Sequence, residues 1–301
     1  MQQNTLFDPR PAADARSLLR ALLVREVCRV APETADGLMA RMVARADFEV
    51  AFVGLAGTAL NRIGSPDAGL LTASELVDNA GRCIAASGLP TVVDAGTGFG
   101  NPINVLRTVS ELARAGAAGV MLRDGVDPRR HRTCDAAVPV ADMQARLRAA
   151  RDAGGGELVL LAGMGGAAQA GPAVAELAAR YRDAGAEIVH VGAIGSRAQA
   201  RALAGALAGI PLACDLGLAS EPDAGELGAL GFRIAFVPHC GLMASVPAIE
   251  HTFGELARTG AVGHLRPHIA DFRQFTDIAG LPEVQKLEPR YGVPDERRTA
   301  L

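Results

Sequence analysis

Two charged side chains of opposite sign stand where neighbouring strands of this sequence are expected to end. Asp94 follows the apolar pair Val92-Val93, and Arg123 follows the apolar run 119–122. Parallel strands end at a shared edge of their sheet, and α/β proteins bind ligands at that edge. An arginine paired with an aspartate can bind a carboxylate or an enolate through two parallel hydrogen bonds. The spacing therefore predicts either an anion-binding site at the carboxyl edge of a parallel sheet or an Arg123–Asp94 salt bridge that only fills that position.

A basic segment with a single histidine follows Arg123 and reads Arg129-Arg130-His131-Arg132. Histidine can donate or accept a proton near neutral pH, and the arginines would attract an anionic substrate. The alternative is a solvated loop with an exposed histidine. Cys134 would need a lowered thiol pKa to act as a nucleophile, and the alternative is an ordinary loop cysteine.

Other candidate positions leave more than one interpretation open. The glycines at 96, 98 and 100 approximate a dinucleotide fingerprint but are one residue short of its spacing. The glycine-rich stretch 163–171 either wraps a phosphate with its amides or is a loosened loop. His190 lies within an apolar strand and is expected to be packed. His239 follows the last strand at the ligand edge, where it either reaches the pocket or caps the next helix.

The elements that would position these groups alternate between short apolar strands and helix-period segments. Such alternation indicates a parallel sheet covered by helices, and eight units in one domain indicate a (β/α)8 TIM barrel. The rival architecture is an open doubly wound sheet. The eight strands are expected near 27–30, 46–54, 91–94, 115–123, 157–162, 184–192, 211–215 and 230–238.

The C-terminal part departs from this repeat. Residues 242–256 and 269–278 are expected to form helices, and the tail from Glu283 is polar and charged. We therefore predict a barrel domain over 1–260 and a C-terminal helical extension with a tail over 261–301.

Composition narrows the classes of protein and of partner. The chain has 301 residues, of which 49% are hydrophobic and 21% charged, enough for one substantial core. Aromatic residues make up 4% and the net charge is −3, so neither nucleic acid nor a membrane surface is an expected partner. Five widely spaced cysteines without a CxxC indicate a reducing cytoplasm, and the N-terminus lacks the pattern of a signal peptide.

Several motifs together resemble the phosphoenolpyruvate mutase/isocitrate lyase family over about residues 30–285. They are Asp36-Gly-Leu-Met-Ala-Arg41, Thr91-Val-Val-Asp-Ala-Gly-Thr-Gly-Phe-Gly-Asn101, the following Pro-Ile-Asn-Val-Leu-Arg-Thr-Val109, and Ile278-Ala-Gly-Leu-Pro-Glu-Val-Gln-Lys-Leu-Glu288. The resemblance implies a TIM barrel, a C-terminal helix exchanged between subunits, and a homotetramer or homodimer. It also implies a lyase or mutase that acts on a small carboxylate with Mg²⁺.

The resemblance further suggests positions for substrate and metal. The segment around Gly54 matches one whose backbone amides bind the oxo-acid end of the substrate. Asp67 matches an aspartate near the metal. The positions carried over as substrate-binding are Gly54, Leu55, Ala56, Asp67, Thr97, Asn101, Arg130 and Asp215.

This sequence departs from the family pattern mainly where the family places its chemistry. Gly96 replaces the second metal-binding aspartate and Arg123 replaces the following glutamate, while His131 stands where the lyases have a catalytic cysteine. Gly163 and Gly192 replace an anion-binding arginine and a glutamate. Because Arg123 brings a fixed positive charge to the metal position, we expect no cofactor and no Mg²⁺. If Mg²⁺ is retained, its ligands would be Asp94, Asp67 and Asp124.

The sequence thus predicts a divergent lyase-like enzyme for a small 2-oxo or 2-hydroxy carboxylate, acting by carbon–carbon cleavage or decarboxylation through an enolate. Arg123 would stabilise the enolate, Asp94 would orient Arg123, and His131 would move the proton. One alternative is a non-catalytic member that binds a carboxylate or serves as a scaffold. Another is a conventional Mg²⁺ enzyme with a rebuilt site.

Overall fold

The computed structural model describes residues 10–127, 137–165 and 172–292. By their contacts, these residues fall into two compact units, 10–241 and 242–292. The division falls between Gly241 and Leu242, and the domain boundary at residue 260 stays a prediction.

Unit 10–241 is built on eight parallel strands in the order β1-β8-β7-β6-β5-β4-β3-β2. An isolated parallel bridge between Glu33 and Phe52 brings the edge strands together, so the sheet forms a nearly closed barrel. This architecture confirms the predicted (β/α)8 barrel. The strands are β1 Arg29–Pro32, β2 Ala51–Val53, β3 Thr91–Asp94, β4 Gly119–Arg123, β5 Val159–Gly163, β6 Ile188–Ala193, β7 Leu212–Asp215 and β8 Phe232–Val237.

Helices separate the strands and cover the outside of the barrel. The helix boundaries follow local signals; for example, Thr72 and Glu75 form a reciprocal capping box at the start of α4. The helices of this unit are α1 Ala12–Val24, α2 Gly37–Arg45, α3 Leu55–Ile63, α4 Ala73–Ser87, α5 Pro102–Arg114, α6 Val140–Ala153, α7 Pro172–Asp183, α8 Arg197–Ala206 and α9 Ala224–Ala229, followed by α10, Cys240–Thr259, which runs into the second unit.

Alternate strand residues fill the barrel interior. Phe52, Val92, Met121 and Phe236 belong to one buried cluster, to which α1 contributes side chains including Leu19. Helix α1 was not anticipated from the sequence. Because side chains of a strand alternate between its two faces, the residues two positions beyond Val92 and Met121 also face inward. Those residues are Asp94 and Arg123, at the carboxyl ends of β3 and β4.

The C-terminal unit consists of α10 from Leu242 onward, α11 Phe272–Ala279 and α12 Leu281–Leu287, with two short 3₁₀ turns. Helix α10 carries a stripe of exposed apolar side chains at helical spacing, which comprises Met243, Val246, Ile249, Phe253 and Leu256. Across the three described ranges, no helix has the length and apolar character needed to cross a membrane.

Candidate active site

Arg123 and Asp94 form an ion pair at the carboxyl end of the barrel. Nε of Arg123 donates to Oδ2 of Asp94 at 2.8 Å, and the two side chains are 19% and 5% exposed. The backbone amide of Gly96 donates to the other carboxylate oxygen at 2.9 Å. The sequence-based expectation that the two strand ends bring these residues together is therefore met, while their roles in catalysis stay predictions.

The surroundings of Arg123 keep its guanidinium charged. Burial disfavours the charge, but the negative charges of Asp94, Asp215 and Asp67 outweigh burial and raise the pKa of Arg123. A Cβ atom at Gly163 would lie 3.1 Å from Cγ of Arg123. The glycine on β5 thus leaves the space that the arginine side chain occupies.

Asp215 extends the charged cluster across the barrel to His190. Oδ1 of Asp215 lies 2.9 Å from Nε2 of His190, which is fully buried on β6. Burial acts to raise the pKa of Asp215, but His190, Arg123 and His239 outweigh it and lower the pKa to about 2. Asp215 is therefore ionised at neutral pH, and His190 is packed within the barrel as expected.

We expect Asp215→Asn to weaken the pH dependence of stability in acid. A carboxyl group whose pKa falls from 3.8 to about 2 on folding stabilises the protein above pH ~4 and loses that contribution as pH falls through 2. This pKa shift corresponds to a contribution of roughly 2 kcal/mol to the free energy of unfolding. Urea unfolding of the wild type and of Asp215→Asn between pH 5 and pH 2 measures this loss of stability. If the free energy of unfolding depends on pH in the same way in both proteins, the pKa of Asp215 is not lowered by folding.

A second buried pair lies at the same end of the barrel. Glu33, at the end of β1, is 2% exposed, and its Oε2 lies 2.7 Å from Nδ1 of His239 and accepts the amide hydrogen of His239 at 2.6 Å. Its Oε1 accepts from the amide of Gly57 at 3.2 Å. A Cβ atom at Gly54 or Gly57 would overlap this carboxylate, so both glycines are needed for its close approach.

Asp94 and Asp124 do not together form the donor set expected of a retained Mg²⁺ site. Both oxygens of Asp94 accept hydrogen bonds, and Arg123 adds a permanent positive charge beside them. Asp124, one residue after Arg123, faces the opposite way, where it accepts from the hydroxyl of Tyr181 at 2.8 Å and from the amide of Gly165. Within the described ranges, no three His, Cys, Asp or Glu side chains are grouped as metal ligands.

The remaining substrate-binding candidates have varied surroundings. Gly54 and Leu55 are buried at the start of α3 with Ala56 beside them, and Asp67 acts electrostatically on Arg123. Two other candidates already have local partners. The hydroxyl of Thr97 donates to Asp127, and Asn101 caps α5 by accepting from the amides of Ile103 and Asn104. Their substrate-binding roles stay predictions.

The predicted basic segment lies outside the described residues. This applies to Arg129, Arg130, His131, Arg132 and Cys134, and to positions 166–171 of the glycine-rich stretch. Sequence reasoning also overlooked Glu33 and left the position of His239 open. Glu33 could have been found from the sequence, because it is a carboxylate directly after an apolar strand. The same pattern identified Asp94.

Comparison with known proteins gives the same family as the sequence motifs. The family described as phosphoenolpyruvate phosphomutase matches residues 19–257. A 2,3-dimethylmalate lyase from Eubacterium barkeri is 28% identical over 279 residues, which cover 91% of this chain and 96% of the lyase. An oxaloacetate decarboxylase from Rhodopseudomonas palustris is 32% identical over 288 residues, which cover 94% of this chain and 94% of the decarboxylase.

Solved structures agree with this result over nearly the whole chain. An oxaloacetate acetylhydrolase in complex with its product oxalate superposes with a TM-score of 0.84 at 29% identity. The superposition covers 94% of this chain and 99% of the acetylhydrolase. By name, these three relatives are a lyase, a decarboxylase and an acetylhydrolase that act on small carboxylates. The chain therefore belongs to the phosphoenolpyruvate phosphomutase family, within the PEP mutase/isocitrate lyase superfamily.

Proposed function

We propose that this protein is a lyase that cleaves a carbon–carbon bond in a small 2-oxo or 2-hydroxy carboxylate, with decarboxylation of a 2-oxo acid such as oxaloacetate as the leading reaction. The observation that carries this proposal is the buried Arg123–Asp94 pair inside the carboxyl end of the barrel. Relatives named oxaloacetate decarboxylase and 2,3-dimethylmalate lyase support the substrate class.

Arg123 has the properties needed to stabilise an enolate without a metal. Its Nε is engaged by Asp94, so the terminal nitrogens of the guanidinium are the donors that can meet the C2 oxygen and the C1 carboxylate of a bound 2-oxo acid. When the bond to the departing carboxyl group breaks, its electron pair moves into the enolate and the negative charge on the C2 oxygen grows. A fixed, mostly buried cation stabilises that charge without reorganisation.

The main alternative is a non-catalytic member that binds a carboxylate or serves as a scaffold. The ion pair is also compatible with this alternative, because Asp94 already neutralises Arg123. The sequence-based assignment of His131 as proton carrier belongs to the catalytic proposal, since a binding protein needs no proton donor.

Oxalate, which mimics the enolate of a 2-oxo acid, provides the test. We expect calorimetry to detect oxalate binding in the presence of EDTA, with an unchanged affinity when Mg²⁺ replaces EDTA. Carbon dioxide release from oxaloacetate should likewise resist EDTA. Activity that requires Mg²⁺ would support the conventional mechanism instead. Oxalate binding without turnover of oxaloacetate or 2,3-dimethylmalate would support the non-catalytic alternative.

We further propose that the protein forms a homodimer or homotetramer in the cytoplasm, without nucleic-acid or membrane partners. The exposed apolar stripe of α10 supports self-association, because monomeric proteins rarely leave such a continuous patch in water. Sedimentation velocity tests this point, since a species of 31.0 kDa would contradict it. The four described cysteines form no disulfide, which fits the proposed compartment.

A further inference from the structure

A second charged wall faces Arg123 across the carboxyl end of the barrel, and the lyase mechanism above does not use it. It consists of His190 on β6 and Asp215 at the end of β7, two and three strands beyond β4. Ile188 and Ala213 belong to the cluster that fills the barrel. Because side chains alternate along a strand, His190 and Asp215, two positions further on, also face inward.

The strands between these two walls contribute no side chain that separates them at this level. Gly163 on β5 is paired in register with Arg123 on one side and with His190 on the other. At the end of β6, a Cβ atom on Gly192 would meet no heavy atom of the described residues within 4 Å. A substrate held by Arg123 can therefore extend toward Asp215.

The negative charge of Asp215 is fixed in position and in ionisation. An ionised carboxylate only accepts hydrogen bonds, so Nε2 of His190 donates to its Oδ1 at 2.9 Å. His190 is fully buried and Asp215 is 19% exposed, which leaves Oδ2 as the oxygen that a ligand can approach. A neighbouring anion raises the pKa of a carboxyl group, but from a pKa of about 2 Asp215 stays ionised at neutral pH.

The charges of the described residues at this end of the barrel suit one anionic group of a substrate better than two. Asp94 pairs with Arg123, and Glu33 pairs with His239. Asp215 and Asp67 add negative charge that acts on both cations. A dicarboxylate that binds Arg123 at one end therefore brings its other carboxylate toward negative charge.

Resting on the lyase function proposed above, we propose that Asp215 determines which carbon–carbon bond is broken, by repelling the distal carboxylate of the substrate, and that His190 positions Asp215. In oxaloacetate, the C1 carboxylate and the C2 oxygen meet Arg123, and the C4 carboxylate faces Asp215. When the C3–C4 bond breaks, C4 leaves as neutral carbon dioxide and the electron pair forms the C2–C3 double bond of the enolate. The enolate then takes one proton from solvent at C3, which yields pyruvate.

The direction of charge movement explains this selectivity. In decarboxylation, negative charge leaves the neighbourhood of Asp215 and moves to the C2 oxygen beside Arg123, so a repulsion present in the bound substrate is relieved in the transition state. Cleavage of the C2–C3 bond of a 2-hydroxy acid such as 2,3-dimethylmalate moves the electron pair toward C3 and its carboxylate. Negative charge then grows beside Asp215, which disfavours that reaction.

Asp215→Asn is the decisive variant, because it removes the charge but keeps the shape and an acceptor for His190. For oxaloacetate, we expect kcat to fall by about tenfold or more and KM to fall with it, the pattern of lost ground-state repulsion. Turnover of 2,3-dimethylmalate, measured in parallel, should not fall. Asp152→Asn, which changes an exposed aspartate of α6, serves as the matched control and should leave kcat and KM unchanged.

Binding of substrate analogues measures the repulsion without turnover. Malate and lactate share the C1 carboxylate and the C2 hydroxyl, but only malate has a C4 carboxylate. In calorimetry, Asp215→Asn should raise the affinity for malate relative to lactate by about tenfold. The ratio excludes general damage, because lactate binding reports on the Arg123 end alone. His190→Gln keeps a donor for Asp215 and should retain the wild-type ratio, whereas His190→Leu should move the ratio toward that of Asp215→Asn.

The outcomes separate this inference from the proposed function. If the wild type decarboxylates oxaloacetate and Asp215→Asn keeps kcat and KM within about threefold, the inference is wrong and the lyase function stands. A fall in kcat with a rise in KM would mean that Asp215 binds the substrate, and an unchanged malate-to-lactate ratio would mean that it repels nothing. Either result overturns the inference. If the wild type binds neither oxalate nor malate and turns over neither substrate, the proposed function fails and the inference fails with it.

Discussion

Replacing Arg123 with alanine is expected to lower turnover of oxaloacetate by about 10²- to 10³-fold, the effect of removing one preorganised donor from a developing oxyanion. Oxalate affinity should fall as well, because oxalate carries the charge that the guanidinium is proposed to bind. Arg123→Lys keeps the charge but loses the planar pair of donors, so we expect it to recover only part of the activity. Steady-state kinetics and calorimetry with EDTA present measure both effects.

Two controls make this prediction specific to the site. Arg107→Ala removes an exposed arginine of α5 that pairs with Glu111, and it should leave turnover unchanged. Because Arg123→Ala leaves Asp94 buried without its partner, the pair Arg123→Met with Asp94→Asn tests whether any loss reflects unfolding. Turnover of Arg123→Ala within about threefold of wild type would show that the arginine does not stabilise the enolate.

The second large effect concerns stability and the partner of Arg123. Asp94→Asn keeps the shape of the side chain and an acceptor for the Gly96 amide, but it removes the charge that neutralises a mostly buried guanidinium. Loss of one partner from a buried ion pair costs about 3–5 kcal/mol. We expect the free energy of unfolding, measured in urea, to fall by that order.

A double-mutant cycle distinguishes the ion pair from general damage. In the variant that combines Asp94→Asn with Arg123→Met, neither member of the pair remains charged without its partner, so much of the lost stability should return. Asp78→Asn changes an exposed aspartate that pairs with Arg62 and Arg82, and it should change stability little. If the loss in free energy of unfolding of the double variant equals the sum of the two single losses, Asp94 and Arg123 are not energetically coupled.

Most of the barrel could be predicted because its signals are local. Strand β3 was expected over Thr91–Asp94 and is found there, since a run of apolar residues before a polar turn needs no distant information. The capping box of Thr72 and Glu75 depends on two residues three positions apart. Helix α1 was missed because its apolar side chains only make sense once the barrel interior exists to receive them.

Some features of the candidate site could likewise be predicted from the sequence, and others could not. The meeting of Asp94 and Arg123 could be predicted, since they end adjacent parallel strands and alternate residues of a strand share a face. Asp124 was a candidate ligand beside them, yet the same alternation turns it outward to Tyr181. The departures from the family pattern were visible in the sequence, but the space that Gly163 leaves for Arg123 was not.

The sequence by itself determined the family, the eight strands and the meeting of Asp94 with Arg123, because each depends on residue type and short spacing. Only the tertiary structure shows that Glu33 and His239, which are 206 residues apart, are in contact. It alone also shows that Asp215 lies beside His190 and interacts electrostatically with Arg123 and His239. The reason is that closure of the barrel places the first and last strands side by side. Contacts that arise from closure leave no periodic or local trace in the chain.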